Sequence, residues 1–137
     1  MKIVQTLIIS ILIISGALGA PVDTKKLSHA KMKELIDELE IGINNGGFNG
    51  YFYNSAGNNT HEALNLLKAI EAKKAAAILE SAASKFPDSK VPKNRDSRQD
   101  ILDEIDPDGE LFSALDEQFW KLEENLQDLL KKYINSN

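Results

Sequence analysis

Asn44-Asn45-Gly46-Gly47-Phe48-Asn49-Gly50-Tyr51-Phe52-Tyr53-Asn54-Ser55-Ala56-Gly57 holds four of the chain's eight glycines and four of its nine aromatic residues. Glycine frees the backbone and weakens a regular element, while an aromatic ring gains much from burial. The two together predict a backbone held in fixed geometry beside a core. Phe48, Tyr51 and Phe52 recur at i, i+3, i+4, which predicts a short helix with that face inward. Tyr53 lies off the face and is expected at the surface. Gly46 and Gly47 are the candidates for positive φ, and Asn45 and Asn54 are placed to satisfy backbone groups around the glycines.

Upstream of this block, Ser28 is a candidate cap for a helix carrying Met32, Leu35, Ile36, Leu39 and Ile43 on one stripe. Asn44 to Gly47 is expected to end it. Downstream, Ser55 to Asn58 reads as a turn. Asn59 and Glu62 have capping-box spacing before Leu64, Leu67 and Ile70. Ala75, Ile78, Leu79, Ala82 and Phe86 form the next stripe, which Pro87 ends. Asp96 and Gln99 repeat the capping signal before Ile101, Leu102 and Ile105, and Asp106-Pro107-Asp108-Gly109 is a turn. Phe112, Leu115, Phe119, Leu122, Leu126, Leu129 and Tyr133 keep heptad spacing, with Asp116 a candidate cap for a separate last helix. No strand alternation appears. The expected fold is all-α, a single compact domain of about six helices over residues 28–135, behind a flexible lead-in at 21–27.

Residues 1–20 read as a secretory signal peptide: a basic Met1-Lys2, an apolar run from Ile3 to Ile14, and small residues ending in Ala17-Leu18-Gly19. Cleavage is expected before Ala20, because cleavage after it would leave Pro21 at the new terminus. The chain is then periplasmic or secreted. An uncleaved segment would instead leave it membrane-anchored, although the run is near the lower length limit for a span. With no cysteine, disulfides, thiolate zinc sites and thiol catalysis are excluded.

The net charge is −5, unevenly spread. Residues 21–95 carry 11 basic and 9 acidic groups, whereas residues 96–128 carry 12 acidic and 2 basic ones. Direct nucleic-acid binding is not expected, since neutralising phosphates needs a basic surface.

Several pieces resemble the DNA mimic protein 19-like family, a bacterial domain largely of unknown function. They are Asn45-Gly46-Gly47-Phe48, Tyr51-Phe52-Tyr53-Asn54-Ser55, the helix Ala63 to Ile70, Lys74-Ala75-Ala76, the Phe86-Pro87 helix stop and Leu115-Asp116-Glu117-Gln118-Phe119-Trp120. The resemblance implies an all-helical fold without enzymatic activity or cofactor. It also implies acidic groups that imitate a DNA surface and occupy a DNA-binding protein. The signal peptide is a departure from that setting, because it sends the chain out of the cytoplasm.

Read as chemistry, carboxylates at i, i+3 and i+4 lie roughly 5–6 Å apart on a helix. Asp96, Asp100, Asp103 and Glu104 follow that spacing, and Asp116, Glu117, Glu123, Glu124 and Asp128 continue the acidic run. The ordinary reading of such a run is a solvated helix face. The stretch from Glu104 through Leu111 resembles a calcium loop, but Leu115 stands where a bidentate glutamate is needed. His29 and His61 have no paired-histidine spacing, and no carboxylate pair is marked for glycoside hydrolysis. Asn58-Asn59-Thr60 is a glycosylation sequon, meaningful only in a eukaryotic secretory pathway. The function expected is an exported, non-enzymatic module that engages a basic protein through Asp100, Asp103, Glu104, Asp106, Asp108, Glu117, Glu123, Glu124 and Asp128. The alternative is an envelope hydrolase or metal-dependent enzyme with a carboxylate site.

Overall fold

A computed structural model describes residues 23–137, and these form six α-helices and three short 3-10 turns. The signal peptide assigned to residues 1–20 lies outside the described residues. The helices are α1 (His29–Tyr53), α2 (Thr60–Ala69), α3 (Lys73–Ala83), α4 (Arg95–Ile105), α5 (Ser113–Trp120) and α6 (Leu126–Ser136). Among the described residues there is no strand, so the all-α expectation holds. Part of the expected lead-in, Thr24–Lys26, is a 3-10 turn, and Thr24 Oγ1 lies 3.2 Å from the Tyr133 hydroxyl on α6.

Helix α1 is the axis of the domain. It packs against α2, α4, α5 and α6, while α3 joins through α2 and α5. Ser28 caps α1 as expected, its hydroxyl accepting the Lys31 N–H at 3.0 Å. All five residues of the first stripe, Met32, Leu35, Ile36, Leu39 and Ile43, are buried. The expected helix end at Asn44 to Gly47 is instead a kink. The helix continues to Tyr53, and only Gly47 leaves helical geometry, at φ 64° and ψ −170°. Gly46 is exposed and is not among the positive-φ residues, so the need for a left-handed residue falls on Gly47 alone.

The kink redirects Phe48, Tyr51 and Phe52 into the core, where each is at most 1% exposed. Phe52 is the hub of the aromatic cluster. Its ring lies 4.9 Å from Phe86 and 5.5 Å from Tyr51, both edge-on, with Phe48 at 6.0 Å and Phe112 at 5.5 Å. Burial of one such side chain contributes about 1.5–3 kcal/mol, and favourable ring pairs add about 0.5–1.5 kcal/mol each. Tyr53, off this face, is 39% exposed.

Several expected caps fall elsewhere. Asn59 precedes α2 but makes no side-chain cap bond, and Glu62 pairs with Lys93 rather than reaching back. Asn94, not Asp96, caps α4, accepting the Ser97 N–H at 2.9 Å. The heptad run is interrupted at residues 121–125. The last helix is capped by Asn125, whose side chain accepts the Asp128 N–H, and not by Asp116. In each case a neighbouring asparagine or a tertiary contact outcompetes the local pattern.

Candidate functional site

Two of the blocks quoted above meet at the kink in α1. The Phe48 N–H donates to Asp116 Oδ1 at 2.7 Å. A Cβ on Gly47 would stand 2.5 Å from the other Asp116 oxygen, so glycine is required there by space as well as by φ. One turn further along α5, the Trp120 indole N–H donates to the Ile43 carbonyl at 3.1 Å. Burial raises the Asp116 carboxyl above its ordinary pKa, the Phe48 N–H opposes that, and the nearby Asp106 charge adds to it.

Asp106 was expected on the binding surface, and it is buried instead. One carboxylate oxygen accepts from the Asn49 amide at 2.6 Å and the other from the Leu111 N–H at 2.9 Å. The acid closes the turn after α4 and ties it to α1. Glu124, also expected outward, is half-buried. Its two oxygens accept the Lys74 and Ala75 N–H groups at 3.1 and 2.8 Å, so it caps α3 from 50 residues away. Free helix N–H groups and the positive end of the helix dipole both favour a carboxylate there.

Arg98 is the residue the sequence reading missed. It is fully buried and donates to five oxygens: the carbonyls of Phe52, Asn54, Pro92 and Lys93, and the Asn58 side chain. Among the described residues no carboxylate pairs with it. It gathers carbonyls from the C-terminal end of α1, where a cation is favoured by the helix dipole. Burial lowers its pKa from the usual arginine value, though arginine stays protonated in proteins. A Cβ on Gly57 would lie 2.7 Å from its Nε, which explains the last glycine of the opening stretch. The sequence does hold a signal: Arg98 lies four residues before Leu102, on the inward stripe of its helix. Arg95 and Gln99 both donate to the Tyr53 carbonyl at 3.1 and 2.9 Å, and Arg95 also reaches the Asn54 side chain at 3.4 Å. Asn45 is exposed. The sequon asparagine, Asn58, uses its side-chain oxygen on Arg98 at 2.9 Å.

The other expected site residues face outward. Asp100, Asp103, Glu104, Asp108, Glu117, Glu123 and Asp128 are exposed, as are Asp96 and Glu110. Asp96, Asp100, Asp103 and Glu104 share one side of α4. Four ion pairs form among the described residues: Lys31–Glu34, Lys33–Asp37, Lys68–Glu80 and Lys93–Glu62. None involves a carboxylate between residues 96 and 128. Of the two cations in that stretch, Arg98 is buried and Lys121 alone is exposed.

Concave sites gather less chemistry. A cavity of about 460 Å³ lies between the ends of α1 and α6, with Asp128 its single acid beside His29, Lys33 and Lys131. A groove of about 520 Å³ between α3 and α5 has Glu123 as its single acid beside Lys74 and Lys121. Among the described residues no group of three or more histidine, aspartate or glutamate side chains is placed to hold a metal. His61 Nε2 accepts the Val91 N–H at 3.2 Å, a structural bond in which the imidazole is neutral at that nitrogen. Burial lowers its pKa, a Lys93 charge acts the same way, and Glu62 opposes both. No helix among the described residues is long and apolar enough to cross a membrane.

No curated protein and no solved structure gives a significant match. The family model described as DMP19-like protein matches residues 28–137, which run from the cap of α1 to the end of α6. The match takes in both halves of the sealed kink, the Arg98 clamp and every exposed carboxylate of residues 96–128, and by it the chain belongs to the DMP19-like family.

Proposed function

We propose that this protein is an exported, non-enzymatic binding module whose acidic helical surface engages a basic protein partner by DNA-mimic-like electrostatics. The observation that carries this reading is the separation of its carboxylates into two sets. Asp106, Asp116 and Glu124 turn inward and are used by the fold. Nine others between residues 96 and 128 are exposed and paired with no lysine or arginine among the described residues. A surface kept for solubility alone gains from interspersed charges of both signs. Here one sign dominates residues 96–128, about a quarter of the chain, which favours long-range steering of a cationic partner. The family relationship supports the same reading, and the signal-peptide pattern at residues 1–20 supports export.

Capture of partners from the native host's envelope fraction, washed at low and at high salt, tests the reading. A basic protein retained at about 50 mM salt and released at about 500 mM is the expected result, because exposed charges are screened over shorter distances as salt rises. Retention of neutral proteins only, indifferent to salt, would contradict it.

A further inference from the structure

Trp120 is the only tryptophan in the chain and stands 53% exposed at the end of α5. It is not a loose surface side chain. Its indole N–H is fixed on the Ile43 carbonyl at 3.1 Å, so the ring is held in one orientation while more than half of the residue meets solvent. The buried side of α5 is supplied by Phe119 instead. Each of the two helices joined by the indole hydrogen bond carries a carboxylate one turn away. Glu117, exposed, is one turn before it on α5, and Glu40 is one turn before Ile43 on α1. Glu40 is oriented by the Gln127 amide, which donates to it at 2.7 Å and to Asp37 at 2.8 Å. The neighbouring cation, Lys121, lines the groove with Lys74 and Leu122, a groove whose lining does not include Trp120.

We propose that Trp120 is the anchoring ring for an arginine or lysine side chain of the basic partner. This inference rests on the binding reading above and deepens it. A fixed indole presents its electron-rich face without the entropy of ordering a mobile side chain. The carboxylates of Glu117 and Glu40, neither of them in an ion pair among the described residues, favour the same cation. Such a ring also supplies what the carboxylates lack, a contact that persists at salt concentrations that screen exposed charges. The nine carboxylates then govern encounter, and Trp120 governs how long the encounter lasts.

A fluorescein-labelled nona-arginine peptide is the probe, with nona-glutamine labelled alike as control, and the fluorescence anisotropy of the peptide is the readout. The indole is replaced biosynthetically by mono-, di- and trifluorotryptophan, which labels position 120 alone. Fluorination weakens the ring's attraction for a cation and leaves its shape and N–H nearly unchanged. Affinity for nona-arginine is expected to fall stepwise, to about five- to tenfold weaker for the trifluoro protein, with an unchanged salt slope. Trp120→Phe is expected to fall between these values. Equal affinity across the fluorinated series, with strong salt dependence retained, would overturn the role of Trp120 and leave the acidic surface standing. Equal and salt-independent binding of nona-arginine and nona-glutamine would overturn the binding reading and this inference with it.

Discussion

Asp116 and Trp120, one turn apart on α5, hold the two sides of the kink in α1: the carboxylate takes the Phe48 N–H just after Gly47, and the indole N–H meets the Ile43 carbonyl one turn before it. A kinked helix exposes backbone groups that a straight one pairs internally, and buried groups of that kind must find partners. Here one short helix supplies both an acceptor and a donor. The glycine–aromatic block and the Leu115–Trp120 segment are therefore two halves of one structural unit.

The two adjacent glycines of that unit should respond differently to alanine. Gly47→Ala forces a Cβ into a left-handed backbone and onto the Asp116 carboxylate, and should cost at least about 1–2 kcal/mol. Gly46→Ala meets nothing within 4 Å and should leave stability unchanged or raise it by about 0.5–1 kcal/mol, as in an ordinary helix position. Urea denaturation midpoints of the two variants distinguish them. Equal destabilisation would contradict the assignment of the kink to Gly47.

Arg98 should be among the least replaceable residues. Arg98→Met keeps much of the volume but leaves the carbonyls of Phe52, Asn54, Pro92 and Lys93 without their shared donor. An abandoned buried polar group costs about 1–3 kcal/mol, so the loss should reach several kcal/mol. Gly57→Ala, which pushes on the same guanidinium, should destabilise in the same direction. Thermal melting of both variants checks this, and a midpoint for Arg98→Met within a degree or two of wild type would contradict it.

These cases also mark what the sequence could carry. Apolar stripes were legible because helix period alone decides which face is buried: every residue of the Met32–Ile43 stripe, and Phe48, Tyr51 and Phe52, sits in the core. Ser28 was legible because its bond is local. The kink was legible as a break but not as a continuing helix, since its closure depends on Asp116, 68 residues away from Phe48. Asp106 and Glu124 were misplaced for the same reason. A carboxylate that closes a turn or caps a distant helix has the same local spacing as one that faces water. Arg98 interrupts an apolar stripe, and only the converging carbonyls explain it.

Stability should decline in mild acid through His61. Its folded pKa lies below the ordinary 6.5 because burial and Lys93 disfavour the charged ring. The unfolded chain therefore binds this proton more readily, and the contribution is present above about pH 6.5 and lost as pH falls through the folded value. Protonation at Nε2 also removes the acceptor for the Val91 N–H. His61→Gln should flatten the stability profile between about pH 5 and 7. Parallel, undiminished slopes for wild type and variant would assign the pH dependence elsewhere.

Inward and outward carboxylates should separate cleanly under mutation. Glu124→Gln weakens the cap of α3 and should lower stability by about 0.5–2 kcal/mol while leaving partner association unchanged. Asp108→Asn, at an exposed turn, should leave stability within about 0.5 kcal/mol. Denaturation and association kinetics, measured on the same samples, check the pair. A slower association for Glu124→Gln than for Asp108→Asn would contradict the division.

The most direct test is the association rate of the triple variant Asp100→Asn, Asp103→Asn, Glu104→Gln with the captured basic partner, followed across ionic strength. These three residues share the exposed side of α4. Their neutralisation should slow association several-fold at low salt, leave dissociation nearly unchanged and flatten the salt dependence. The fold should survive, since each change is worth about 0.5 kcal/mol or less. Association rates equal to wild type at every ionic strength would contradict the account and leave the outward carboxylates as a solvated helix face.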